Sequence, residues 1–276
     1  MSRGRKYDPE LENVEIQLLV EGIRRSTGIN LEEYAGSALR RQVWAAVRAE
    51  KVRTISGLIE QLLHDHDAFR RFLDGFNRSE PSGPEFFRTF REEIIPTLRT
   101  YPFPVLWQAG SDSIRDLYFM AIILHEEGLY EKATIYVTDM NQGNINRAQD
   151  GVFSLSGSRE LDRIYQASGG DGRLSDYYSC GRVNGIFKPT LRRNMVFAQH
   201  NLATDGSFNE FNMIACRQAL EPLSDVTRIR AHEVLYSSLG MFGILALGPQ
   251  DTLRNTPRER AYKALDADQR IYRKIA

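Results

Sequence analysis

The stretch "WQAGSDSIRDLYFMAIILHEEGLY", Trp107 to Tyr130, decides how the chain is read. An apolar strand leads into a short polar turn and then a long apolar helix, which is how a βα unit that cradles a cofactor begins. The turn carries one glycine, Gly110, and then Ile114, Arg115 and Asp116. Glycine permits a positive φ and close backbone approach, and a β-branched residue resists both.

Outward from this unit the pattern continues. "ATIYVTDM" is a strand ending near Asp139, "NQGNINRAQDG" a helix, and "NMVFAQHNL" and "FNEFNMIACR" are strands. "SDVTRIRAHEVLYSSL" is a helix and "MFGILALGP" a further strand. Alternating strands and helices predict a mostly parallel sheet covered on both faces. The expected class is α/β: a doubly wound, Rossmann-like domain over 91–276. Residues 152–190, rich in Gly, Ser and Tyr, break the rhythm and predict an irregular insertion or a small hairpin.

Before this domain, residues 12–75 carry apolar positions at helical spacing, with Thr54 or Ser56 as an N-cap, so 1–76 reads as a small helical domain. "NRSEPSGPEFF" holds two prolines and a glycine. Residues 77–90 are therefore the expected linker and start of the next helix, which Pro96 should kink or end.

Composition narrows the function. Lys+Arg 36 balances Asp+Glu 36, so no net field argues for nucleic acid or an anionic membrane. No apolar run reaches the ~20 residues of a membrane helix. The N-terminus lacks an apolar signal core. Cys180 and Cys216 are too few for a disulfide framework, and a reducing cytoplasm is the expected setting.

The order of these pieces resembles the chemotaxis-receptor glutamate methyltransferases of the CheR type, which use S-adenosylmethionine. The resemblance covers essentially the whole chain. It is carried by "TGINLEEY", "ALRRQVWAAVR", "PEFFRTFREEIIPTLRTYP", "IYVTDMNQGNINRAQDGVF", "RRNMVFAQHNL", "FNEFNMIACR", "GILALG" and "YKALDADQRIYRKI". It implies an N-terminal helical domain, a Rossmann-like methyltransferase domain, and S-adenosylmethionine or S-adenosylhomocysteine as ligand. Methyl transfer from a sulfonium to an ionised glutamate is largely a matter of positioning. Damage to the cofactor pocket is then damage to the catalyst.

Set against the family's motifs, the chain departs where cofactor and chemistry meet. The Asn-x-Thr-x-Phe-Phe-Arg signature falls on "NRSEPSG", which puts Asn77 and Ser79 on its Asn and Thr, and Pro81, Ser82 and Gly83 on its Phe-Phe-Arg. An arginine able to clamp a carboxylate is thus missing. The cofactor loop keeps Gly110, but its second glycine is Ile114, its first glutamate Arg115 and its second Asp116. Ile114 and Arg115 are expected to fill space that the donor must occupy. In "CRQALEPL", Cys216 and Arg217 persist, while the signature's Asn is Gln218 and its Tyr is Pro222.

The resemblance therefore assigns cofactor contact to Gly110, Asp116, Asp139, Asn201, Leu202 and Arg217, with no catalytic residue and no metal. Asp139 reads either as the acid that takes ribose hydroxyls or as the N-cap of the next helix. Asn201-Leu202 matches the family's adenine-side pair, though a strand-end Asn also suits a turn. Arg40, Arg41, Arg48, Lys51 and Arg53, with Trp44, form either a solvated face or a basic face for an acidic signalling partner, chemoreceptor-like or response-regulator-like. "HDHD" at 64–67 reads as a polar helix end before a metal site. "RFLD" at 71–74 is too short a signal for a nucleotide site. Three functions stay open: a non-catalytic signalling protein on a reused methyltransferase fold, an active S-adenosylmethionine-dependent methyltransferase of a chemoreceptor-like protein, and a small-molecule sensor using Asp139, Asn201 and the altered loop for another nucleotide.

Overall fold

The computed structural model describes residues 8–76, 81–110, 113–217 and 219–276. It divides into two compact units, Met1–Arg78 with Pro222–Arg228, and Ser79–Glu221 with Ile229–Ala276. The first unit is not continuous in sequence. Residues 222–228, expected within the larger domain, pair with the helical one: Leu223 bridges Tyr34, the Ala35 amide donates to the Pro222 carbonyl at 2.9 Å, and the Ser224 amide to the Glu33 carbonyl at 2.8 Å. One isolated bridge with its two backbone bonds carries no periodicity, so nothing in the local pattern announces it.

The first unit is built from α1 (Pro9–Thr27), α2 (Gly36–Ala49), α3 (Ile55–His64) and α4 (His66–Asp74). Asp8 caps α1 by accepting from the Glu10 amide, Pro9 opens it, and Gly28 at φ 77° closes it. Thr54 caps α3. Leu19, Ile23, Val43, Ile55 and Leu58 form its buried interior. Its acids are tied down: buried Glu15 accepts from the Ser56 amide at 3.0 Å, and Glu12 accepts from Trp44 Nε1 at 2.7 Å.

The second unit opens with a helical run of α5 (Pro84–Thr89), a π-helical turn (Phe90–Ile94) and α6 (Ile95–Leu98). Pro96 does not stop this run at once, since α6 continues to Leu98. The widened turn just before it absorbs the lost amide and the ring clash. Then come β1 (Val105–Ala109), α7 (Ile114–Glu126), β2 (Thr134–Asp139), α8 (Gln142–Asp150), β3 (Val152–Ser154), α9 (Ser158–Ala167), β4 (Tyr178–Cys180), β5 (Asn184–Phe187), β6 (Met195–Gln199), β7 (Phe211–Cys216), α10 (Asp225–Ser238), β8 (Leu239–Leu247), β9 (Tyr262–Asp266) and β10 (Ile271–Lys274). The main sheet has seven strands in the order β6-β2-β1-β7-β8-β10-β9. Strands β6 to β8 run parallel, and β10 and β9 are antiparallel. The winding reverses at β1, so the crevice for a ligand opens at its carboxyl end. Among the described residues no helix is long and apolar enough to cross a membrane.

The insertion at 152–190 is a three-stranded antiparallel sheet, β3-β5-β4, together with α9. Phe187 of β5 stacks on Tyr118 of α7 at 4.4 Å. Gly151, at φ 67°, lets the chain pass: a Cβ there would lie 2.7 Å from the Tyr118 hydroxyl. A second anchor is polar. The hydroxyls of Tyr165 and Tyr177 both donate to Glu126 Oε1, and Arg91, on the π-helical turn, pairs with Glu126 at 2.6 Å and with Glu127 at 2.9 Å.

This anchor generates two predictions. Arg91 and Glu126 are 15% and 14% exposed, so Glu126→Ala leaves two phenols without their shared acceptor and the mostly buried guanidinium with Glu127 as its remaining acid. It should cost about 2 kcal/mol in urea unfolding. Removing Arg193 from its exposed pair with Glu131 should cost under about 0.5 kcal/mol. Secondly, burial, and next the hydrogen bond to Glu126, push the Tyr165 phenol up to about 12. The unfolded chain releases that proton near pH ~10. Stability should therefore be intact below pH ~10 and fall as pH rises from there towards 12. Tyr165→Phe should flatten that fall in urea midpoints measured at pH 9 and pH 11.

Candidate cofactor crevice

At the carboxyl end of β1 the chain leaves the sheet through Gly110, whose amide donates to the Thr138 carbonyl at 2.8 Å. Its φ is 91°, and a Cβ would meet the Ala219 methyl at 3.2 Å, so this position needs glycine. Ser113 then caps α7, accepting from the Asp116 amide at 3.1 Å. Ile114 is the first helical residue, and its side chain packs against the hydrophobic core of the second unit. It is not among the residues with positive φ.

The expectation that Ile114 fills the donor's space is therefore corrected. The helix begins where the family has its second glycine, so an ordinary helical φ suffices and the branched side chain turns inward. Arg115 likewise reaches back to the chain, donating to the Ser82 carbonyl at 2.7 Å. Burial lowers the pKa of its guanidinium, and the neighbouring Asp116 opposes that shift.

The crevice is dominated instead by a residue that sequence reasoning did not single out for a role, Ser82. Its amide donates to the Asp116 carboxylate at 3.0 and 3.2 Å, and its hydroxyl donates to Asp116 Oδ2 at 2.6 Å. Arg217 Nε donates to that same hydroxyl at 2.9 Å. Arg217 Nη1 donates further to the Leu247 and Gln269 carbonyls at 2.8 and 3.0 Å, and the guanidinium lies 4.0 Å above the Phe86 ring. Burial lowers the Arg217 guanidinium to about 10, against the pull of Asp116 and Asp251. All three residues are nearly buried: Ser82 5%, Asp116 3% and Arg217 9% exposed. The only hint in the sequence is a serine where the family motif has an aromatic residue.

The remaining residues assigned from the sequence sit on the same carboxyl edge. Asp139, 5% exposed, ends β2 and accepts at Oδ1 from the Asn141 amide and from Asn144 Nδ2, at 2.8 and 3.1 Å. Its reading as the cap of α8 is corrected: Asn141 is the N-cap, accepting from the Gly143 amide at 2.8 Å. Asn201, just past β6, makes a turn, its Oδ1 accepting from the Ala203 amide at 2.9 Å, and Leu202 is buried. Cys216 ends β7 fully buried, and burial pushes its thiol up, so it packs and offers no nucleophile. The assignments on Asn77, Ser79 and Gln218 lie outside the described residues. Pro222 is buried in the helical unit and brings no hydroxyl.

The other singled-out features lie in the first unit. Arg40 pairs with Glu12 at 3.1 Å and bonds Asn13, which neutralises part of the basic face, while Arg41, Arg48, Lys51 and Arg53 are exposed. Asp65 caps α4 between His64 and His66, and the backbone amides of Ala68 and Asp67 hold its carboxyl below the usual range. Arg71 of the "RFLD" stretch is held by Glu50 at 2.8 and 2.9 Å.

A doubly wound sheet with an acid after β2, a glycine after β1 and charged groups at the switch point defines the class of nucleoside-cofactor proteins to which many methyltransferases belong. Residues 77–269 match the family model described as CheR methyltransferase, SAM binding domain, and residues 14–76 match CheR methyltransferase, all-alpha domain. The chain belongs to the CheR methyltransferase family. It is 34% identical over 265 residues to a Pseudomonas putida protein named putative methyltransferase Cher3, covering 95% of this chain and 97% of that one. It is 22% identical to a chemotaxis protein methyltransferase of Listeria innocua, covering 84% and 88%. Among solved structures, the Bradyrhizobium japonicum N-methyltransferase NodS, in complex with S-adenosyl-L-homocysteine, is 14% identical, with TM-score 0.38 over 79% of this chain and 97% of that one.

The family's cofactor, S-adenosylmethionine, carries an ammonium and a carboxylate at its amino-acid end. An acid and an arginine suit such an end only while they face the ligand. Here both face Ser82, which offers an N–H and O–H to the acid and an oxygen to the arginine. The amino-acid end of the cofactor does not fit this arrangement as it stands.

The bridge makes a stability prediction. Asp116→Ala removes a carboxylate that accepts three bonds from Ser82 and leaves the Arg217 charge less compensated. It should cost about 2–3 kcal/mol in urea unfolding, and Ser82→Ala about 1 kcal/mol.

Proposed function

We propose that this protein is a signalling member of the CheR family that keeps the methyltransferase fold without transferring methyl groups, and that it acts by binding. The observation that carries this reading is the Asp116–Ser82–Arg217 bridge, in which the chain's own serine meets both charged groups suited to the cofactor's amino-acid end. Methyl transfer asks the protein chiefly to position donor and acceptor, so a crevice that does not seat the donor has little else to offer. Pro222, in place of the signature tyrosine, and Gly83, in place of the signature arginine, support the same reading. The partner is a signalling protein of the cytoplasm, chemoreceptor-like or response-regulator-like, met through the exposed Arg41, Arg48, Lys51 and Arg53 of the helical unit.

A second reading has its own support. Gly110 and Asp139 are kept at the carboxyl edge, and the family is one of methyltransferases, so the chain methylates glutamates of a chemoreceptor-like protein once Ser82 swings aside.

Isothermal titration separates the two. With S-adenosylhomocysteine and S-adenosylmethionine at up to about 200 μM, no binding heat is expected. A micromolar Kd for either ligand, or radiolabelled methyl transfer to a receptor-like acceptor, overturns the non-catalytic reading.

A further inference from the structure

Helix α1 has two apolar faces, and among the described residues only one is buried. Leu19, Val20 and Ile23 are buried, whereas Leu11, Val14 and Leu18 are 50%, 52% and 57% exposed. At 3.6 residues per turn, Leu11, Val14, Leu18, Glu21, Gly22 and Arg25 fall within an arc of about 100°. The spacing of positions 11, 14, 18, 21 and 25 is that of a heptad seam. Leu63 of α3, 40% exposed, extends the patch beside Gly22: a Cβ at Gly22 would lie 3.9 Å from a Leu63 methyl. Contiguous exposed apolar seams of this kind mark association surfaces.

The charges say what covers it. On the exposed side, α1 carries Glu10 in its first turn and Arg24 and Arg25 in its last. A helix with an acidic start and a basic end is complementary to itself when laid antiparallel. We infer that the α1 seam is a two-fold interface with a second copy of this chain. With the axis near Leu18, Leu18 meets its own copy and Val14 enters the notch over Gly22 beside Leu63. Leu11 lies along the Arg25 stem, and Glu10 faces Arg25. Arg24 and Arg25 now pair with Glu21 at 2.8 and 2.5 Å. These exposed pairs are weak enough to share a second acid. The seam is at the small end of interface sizes, which fits a dimer of micromolar affinity.

Sedimentation equilibrium on the full chain from about 5 to 300 μM tests this, with circular dichroism confirming the fold of each variant. Wild type should pass from monomer to dimer across this range. Leu18→Glu should weaken the dimer at least ~30-fold and Glu10→Arg ~5-fold, and the Glu10→Arg/Arg25→Glu double variant should return to within ~3-fold of wild type. In a Cys180→Ser background, which removes the exposed thiol, Leu18→Cys should cross-link to its own copy on mild oxidation. A wild type that stays monomeric at 300 μM overturns the inference, and so does a folded Leu18→Glu variant that dimerises unchanged. A double variant no tighter than Glu10→Arg alone rejects the antiparallel pairing.

Discussion

A carboxylate and a guanidinium placed near each other in a nearly dry crevice must be satisfied by something, and that demand organises this one. Asp116 is 3% exposed and Arg217 9%. Leaving either unpaired would cost several kcal/mol. The usual solutions are a direct ion pair or a zwitterionic ligand. Here one serine bridges the two, with N–H and O–H for the acid and a lone pair for the arginine, while Arg115 at 3.4 Å adds to the acid and the Leu247 and Gln269 carbonyls to the arginine. Its amide is fixed two residues before Pro84 opens α5, whose Phe86 forms the floor under Arg217. The crevice and the first helix of the second unit therefore stand or fall together.

The fold was legible from the sequence because its signals are long. Strands such as "ATIYVTDM" and helices such as "IRDLYFMAIILHE" are uninterrupted enough for period and burial to agree, and their alternation gives the mostly parallel sheet, though not its order or the antiparallel β10 and β9. What escaped were contacts between distant short pieces. The insertion is a sheet of strands three or four residues long, too short for alternation to be counted. The return of Pro222–Arg228 to the helical unit rests on a few backbone bonds, and backbone bonds leave no mark on side-chain pattern.

The site was half legible for a related reason. Gly110, Asp116, Asp139, Asn201, Leu202 and Arg217 lie at or just beyond the carboxyl ends of their strands, a placement that follows from the topology. The expected obstruction of the cofactor loop by Ile114 and Arg115 is not what the structure has. Ile114 was expected to obstruct because glycine had been replaced, but a substitution obstructs only if the backbone keeps the old conformation. Here the helix begins at Ile114 itself, with Ser113 as cap, and the side chain joins the core. The residue that turned out to engage the charged groups, Ser82, sits on a stretch whose sequence reads as a linker.

That contrast bears on how the proposed loss of methyl transfer would arise within a scaffold. Filling a cofactor site with bulk stresses the packing around it, since interiors are close-packed and overpacking costs stability. Satisfying its charges from within does the reverse, because the acid and the arginine are hydrogen-bonded by the chain itself. Opening this crevice therefore requires breaking several charge-assisted bonds together.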